Sequence, residues 1–131
     1  MNATLPENDI AREVVDAAFK IHTTMGPGLL ESVYQAVLAH ELSRRGLRVQ
    51  REVPIAIGYD DLRFDVGFRA DLLVNELVIV ELKSVGHTAP VHSKHVLTYI
   101  RLAKLRLGLL VNFGAPRIKD GITCIVNGLP G

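Results

Sequence analysis

Apolar residues recur at helical spacing through Ile10, Val14, Ala17, Ala18 and Ile21, which predicts a helix capped by Asn8 or Asp9 and running to about Thr24. Residues 1–8 read as a loose lead-in. Met25-Gly26-Pro27-Gly28 stops the helix, since proline has no amide hydrogen to give and glycine favours a turn. A second helix opens near Leu29 or Leu30 and runs to about Arg45, with Leu30, Val33, Tyr34, Val37, Leu38 and Leu42 on one broad face and Gly46 as its C′ residue. Beyond Gly46 the apolar period shortens to two, the mark of strands. Arg48–Gly58 alternates loosely and contains Pro54, which suits an edge position or a bulge. Asp60-Asp61 marks a turn, Leu62–Val66 a short strand, and Gly67 a bend into a strand over Phe68–Val74. Leu77–Lys83 forms the next strand, and His92 to about Arg106 a third helix with Val96, Leu97, Ile100, Ala103 and Leu107 inward. LGLLVNF and ITCIVNG close the chain as strands.

Charges interrupt this pattern where it is most apolar. RADLLVNELVIVELKS carries Asp71 in one strand and Glu81 and Lys83 at the end of the next. Strand side chains alternate between faces, so Glu81 and Lys83 share a face with Ile79, while Val80 and Leu82 point the other way. Arg69 falls on Asp71's face by the same parity. Whether Asp71 meets Glu81 depends on the turn between the strands. A two-residue loop at Asn75-Glu76 places Asp71 opposite Val80, whereas a three-residue loop or one bulge sets the two carboxylates opposite each other, Cβ atoms about 5 Å apart. Carboxylates that close repel unless a cation lies between them, and Mg²⁺, which prefers oxygen ligands, is the economical choice. Lys83 would then stand beside the metal, able to act on an attacking water or to stabilise charge on a phosphate. The alternative is an ordinary ion pair between Lys83 and one of the acids.

Composition narrows the class without choosing the chemistry. A chain of 131 residues, 48% hydrophobic and 22% charged, is expected to be one domain with one core, spanning residues 1–131. No apolar stretch reaches the ~18 residues of a membrane span, and the N-terminus lacks the basic-then-apolar order of a secretory signal. The lone Cys124 reads as a small buried hydrophobe of the last strand and suits a reducing cytoplasm. A net charge of +1 points to no partner by itself. Arg44, Arg45, Arg48 and Arg51 cluster at one helix end, and Lys94, Arg101, Lys104 and Arg106 follow a later helix; either group is a solvated face or a phosphate track. Arg117 and Lys119 read as solubilising loop charges, His87 and His40 as surface residues, and His22 as a polar residue at a helix C-terminus.

The spacing of Asp71, nine residues, then Glu81-Leu82-Lys83 resembles the active-site pattern of the PD-(D/E)XK nuclease superfamily. A second resemblance is more specific. Gly28-Leu29-Leu30-Glu31-Ser32-Val33-Tyr34 matches the motif that names the GxxExxY proteins, a bacterial and archaeal group within that superfamily. MGPGLLESVYQAVLAHEL, RADLLVNELVIVELK and LGLLVNFGAPRIKDGITCIVNG are similar to that group in order and spacing, over about residues 10–128.

The resemblance implies an α/β fold, a restriction-endonuclease-like core in which helices flank a mixed central sheet. It also implies that Glu31 joins Asp71 and Glu81 as a third acid around one or two Mg²⁺ or Mn²⁺ ions, with Lys83 assisting attack on a phosphodiester. Many superfamily nucleases carry a Gln-x-x-x-Tyr pair on the helix after this strand. Here Tyr99 matches, but His95 stands in place of glutamine. Tyr34, His95 and Tyr99 are therefore the expected substrate-positioning residues. Nucleic acid is the implied partner, DNA ahead of RNA because most of the superfamily acts on DNA.

Two other functions fit the same residues. One is a non-catalytic nucleic-acid-binding or regulatory module that keeps the fold and a metal site; a short chain with no Trp and three Tyr offers little clamp or stacking platform unless a homodimer or larger partner supplies it. The other is a metal-dependent phosphohydrolase of small nucleotides.

Overall fold

The computed structural model describes residues 6–128, which form three α-helices and a five-stranded sheet. In chain order these are α1 (Pro6–Met25), α2 (Glu31–Arg44), β1 (Val49–Tyr59), β2 (Leu62–Val74), β3 (Val78–Lys83), α3 (Pro90–Leu102), β4 (Leu107–Asn112) and β5 (Ile122–Val126), with a 3₁₀ turn over Ile118–Gly121. The strands lie in sequence order, β1-β2-β3-β4-β5. All neighbours are antiparallel except β3 and β4, which run parallel with α3 as their crossover. The mixed sheet flanked by helices is the expected α/β architecture.

β3 and β4 are apolar because helices cover both faces of the sheet centre. On one face Val14, Ala17 and Ile21 of α1 and Leu38 and Leu42 of α2 pack on Leu72, Val80, Leu82, Leu109 and Val111. On the other, Val96 and Ile100 of α3 pack on Ile79, Leu110 and Ile125. The alternation of β3 is as the sequence requires, with Val80 and Leu82 on the α1/α2 side and Ile79 on the α3 side. Gly108 lets α3 approach, since a Cβ there would stand 2.6 Å from Val96 Cγ1. Gly46, at φ +88°, ends α2 as its C′ residue, and Leu47 N–H closes back on Leu42 O at 3.2 Å.

Several boundaries differ from the pattern reading, each for a physical reason. Pro6, Glu7 and Asn8, expected in the lead-in, are the first turn of α1; residues 1–5 lie outside the described residues. Glu7 is 2% exposed and receives two hydrogen bonds from the half-exposed Arg106, at 2.8 and 2.9 Å, so an ion pair on a buried carboxylate rather than an apolar face holds this turn. The third helix ends at Leu102, where Lys104 turns through φ 60°, and Leu107 opens β4 instead of closing the helix. Leu62–Val66 and Phe68–Val74 are one strand. Gly67 serves close packing there, since a Cβ would meet Ile57 at 2.6 Å. Pro54 lies in β1, an edge strand that tolerates its missing amide. Cys124 is exposed, not buried: β5 is the other edge, and the thiol borders an open groove against α1.

Candidate active site

The turn between β2 and β3 has three residues. Val74 pairs with Val78, so Asn75, Glu76 and Leu77 form the loop, and Leu77 N–H closes on Val74 O at 3.0 Å. Asn75 and Glu76 both have positive φ, 51° and 57°, as the tight hairpin turn demands. Asn75 is fixed there by its N–H donating to Arg48 O and its Oδ1 accepting from Arg48 N–H, both at 2.8 Å. This register brings Asp71 opposite Glu81.

At that point the strands part. The β2–β3 ladder stops at Leu72–Val80, and the side-chain carboxylates replace carbonyls as acceptors. Glu81 Oε1 accepts from Asp71 N–H at 3.2 Å, and Asp71 Oδ2 accepts from Leu82 N–H at 2.8 Å. The alternation of β2 also breaks here: Phe68 and Ala70 pack on the α3 side, Leu72 and Val74 on the α1/α2 side. Glu52 of β1, lying between the Arg51–Leu72 and Val53–Ala70 pairs, has φ 50°, so the neighbouring strand is distorted alongside.

Burial, and then the charge of Asp71, push the Glu81 carboxyl up to about 8; Asp71 N–H and the charge of Lys83 pull the other way without cancelling them. Two carboxylates forced together at a strand end, one of them held protonated near neutrality, form a donor set suited to a hard divalent cation, which would relieve the repulsion. The residues present therefore fit a metal held by Asp71 and Glu81.

Lys83, two residues on, shares a narrow recess of about 30 Å³ with Glu81, His92, His95 and Tyr99. Among the described residues Lys83 has no salt-bridge partner, so the ordinary ion pair is not what the structure holds. Tyr99 stacks on Phe68 with ring centroids 4.2 Å apart, and its hydroxyl is raised above the usual phenol range by burial and then by the charges of Glu81 and Asp71. His95, exposed on the preceding turn of α3, lies 6.4 Å from the Tyr99 ring. Both expected α3 residues thus border the recess.

Glu31 and Tyr34 are placed differently. Glu31, exposed as the first residue of α2, borders a separate cleft of about 500 Å³ between the Gly26-Pro27-Gly28 loop, the Ser84–Gly86 segment and Gly114. It makes no hydrogen bond to Asp71 or Glu81, and among the described residues no three His, Cys, Asp or Glu side chains are grouped to hold a metal. Tyr34, expected to position substrate, is 0% exposed and cannot touch one. Its hydroxyl donates to Gly26 O at 2.5 Å and accepts from Leu29 N–H at 3.2 Å, and its ring stacks on Phe113 at 4.4 Å. The tyrosine of the Gly-x-x-Glu-x-x-Tyr motif fastens the loop that delivers Glu31.

Three residues of this region escaped the pattern reading. Ser84 Oγ donates to Leu29 O at 2.5 Å, tying the end of β3 to the α1–α2 loop. Asn112, 2% exposed, accepts from Val85 N–H at 3.1 Å and Gly114 N–H at 3.0 Å and donates to Val85 O at 3.0 Å. Its signal was a lone amide ending an otherwise apolar strand. His92 borders the recess from the first turn of α3. His22 instead donates from Nε2 to Ala115 O at 2.9 Å, a structural tie.

Two arginines of the cluster, Arg45 and Arg48, are committed to acids. Arg45 is shared by Glu13, Asp16 and Glu41, which hold its guanidinium further above its ordinary value, chiefly through Asp16. Arg48 pairs with Glu76, and Arg51 donates to Gln35.

A mixed sheet whose central strands bring an aspartate, a glutamate and a lysine to one end, under a helix carrying a tyrosine, defines a nuclease-type α/β domain. The model of the PD-(D/E)XK nuclease superfamily matches residues 8–125, nearly the whole chain, and the chain belongs to that superfamily. Neither the curated proteins nor the solved structures yield a significant match. Among the described residues no helix is long and apolar enough to cross a membrane.

Proposed function

We propose that the protein is a Mg²⁺- or Mn²⁺-dependent nuclease that hydrolyses phosphodiester bonds, with DNA as the preferred substrate class and a reducing cytoplasm as its setting. The observation that carries this is the opposed Asp71–Glu81 pair, with Lys83 sharing the recess that Glu81 lines. Asp71 and Glu81 would hold the cation, which when bound polarises the phosphoryl group and lowers the pKa of water. The protein's own part is positional. Lys83 stands where it can orient a nucleophilic water or meet charge growing on phosphate, while Tyr99 and His95 offer hydrogen bonds at the rim. Glu31 acts from across the end of β3, held by the loop that Tyr34 and Ser84 fasten. That use of Tyr34 gives the GxxExxY motif a structural reason and supports placing the chain in that group.

A second reading, a nucleic-acid-binding or regulatory module whose site is completed by a homodimer or another protein, is favoured by the narrowness of the recess, about 30 Å³, and by the separation of Glu31 from the pair. Cleavage of single-stranded DNA, nicked or flapped duplex DNA, RNA and free nucleotides in Mg²⁺ and in Mn²⁺, compared across the native chain, Asp71→Ala and Lys83→Ala, separates the possibilities. Polymer cleavage lost in both variants supports the nuclease. Turnover of free nucleotides alone identifies a small-molecule phosphohydrolase, and metal binding without cleavage leaves the module.

A further inference from the structure

We infer that His92 is a positioning residue of the nuclease site, donating a hydrogen bond from Nε2 to a non-bridging oxygen of the substrate's phosphate; this rests on the nuclease reading above. His92 is half-buried at the third position of α3 and borders the same recess as Glu81 and Lys83. Its ring is already oriented. Ala89 N–H lies 3.1 Å from His92 Nδ1 and, being a donor, requires a lone pair on that nitrogen. A neutral imidazole with Nδ1 as acceptor carries its proton on Nε2, so one backbone contact fixes both the tautomer and the ring. Nε2–H has no hydrogen-bond partner among the described residues, and it is the ring edge away from the cap. A phosphodiester seated at the mouth of this recess carries negative charge, and donors lining the mouth stabilise it. Lys83 is one such donor, and the Nε2–H of His92 is a second that needs no rearrangement to serve.

Capping and donation are separable by substitution. In His92→Asn the amide oxygen falls where Nδ1 sits and keeps the acceptor for Ala89, but nothing reaches the position of Nε2. In His92→Gln an amide N–H reaches that position, and its oxygen can still accept from the N-cap amide. The full-length chain is assayed with Mn²⁺ and bis(p-nitrophenyl) phosphate, a plain phosphodiester, and with the oligonucleotide that the native chain cleaves best. His92→Asn is expected to keep the native melting temperature and KM while kcat falls about 100- to 1000-fold, the scale of one lost transition-state donor. His92→Gln is expected to recover much of that loss. Native kcat in His92→Asn, or a fall in kcat that follows a fall in melting temperature without rescue by glutamine, would show that His92 only caps the helix and would overturn the inference. If the native chain hydrolyses neither probe, the nuclease reading itself fails and takes this role with it. Loss confined to His92→Asn in an active background tests His92 alone.

Discussion

Replacing Glu81 by glutamine should stabilise the metal-free protein. Burial and Asp71 push Glu81 up to about 8 from 4.5, so at pH 7 the native carboxyl must stay protonated in the fold against its preference in water. Because the folded value is raised, the stabilisation from the bound proton is full below 4.5 and is lost as pH rises through about 8. At pH 7 the cost relative to a permanently neutral side chain is the distance from 4.5 times ~1.4 kcal/mol per unit, or about 3 kcal/mol. Glutamine removes that cost while keeping an Oε1 for Asp71 N–H, and its amide can donate to the Asp71 carboxylate. For a chain of this size ~3 kcal/mol corresponds to roughly 10 °C in melting temperature. Thermal unfolding followed by circular dichroism in EDTA, from pH 4.5 to pH 9, should show the two proteins nearly equal at the acid end. The glutamine variant should then gain steadily up to about pH 8. A gap that stays flat with pH, or a glutamine variant less stable than the native protein near neutrality, would refute the claim that the two carboxyls are forced together.

Other substitutions test the scaffold around the pair. Tyr34→Phe removes a donor to Gly26 O and an acceptor for Leu29 N–H, which should cost about 1–3 kcal/mol in denaturant unfolding while leaving metal affinity near native, since Tyr34 is buried away from the carboxylates. Gly114→Ala sets a Cβ 2.3 Å from Val85 O and 2.5 Å from Val85 N, and should destabilise by at least about 1–3 kcal/mol while displacing the Ser84–Gly86 segment. Hydrogen exchange at Val85 N–H, now bonded to Asn112 Oδ1, would read that displacement directly.

Much of this fold could be read from the periods of its apolar residues. The change from 3.6 to 2 after Gly46, and the unbroken apolar runs of β3 and β4, follow from burial on two faces of a central sheet. Asp71, Glu81 and Lys83 stood out because charge is costly in such runs. Their juxtaposition did not follow from pattern alone, because it depended on whether the β2–β3 loop had two residues or three. The structure settles that through the left-handed Asn75 and Glu76 and the bonds of Asn75 to Arg48, a contact 27 residues away that no local period records.

Tyr34 points elsewhere than its motif position suggests, for a related reason. Its motif position was visible, but only packing on Phe113, far along the chain, shows that its hydroxyl turns inward to the loop. Pro6–Asn8 differ at the end of a helix and Cys124 at the edge of the sheet. There the ion pair of buried Glu7 with Arg106 and an exposed edge strand override the simple rule that apolar residues lie inside.

The most direct test is calorimetric titration of the native chain and Asp71→Asn with Mn²⁺ at pH 7, repeated in buffers of different ionisation enthalpy. A cation held by Asp71 and Glu81 must displace the proton that Glu81 retains near neutrality, so the native chain should bind with release of close to one proton, and Asp71→Asn should bind far more weakly. Absence of binding, binding without proton release, or affinity unchanged in Asp71→Asn would contradict a metal site built on this pair.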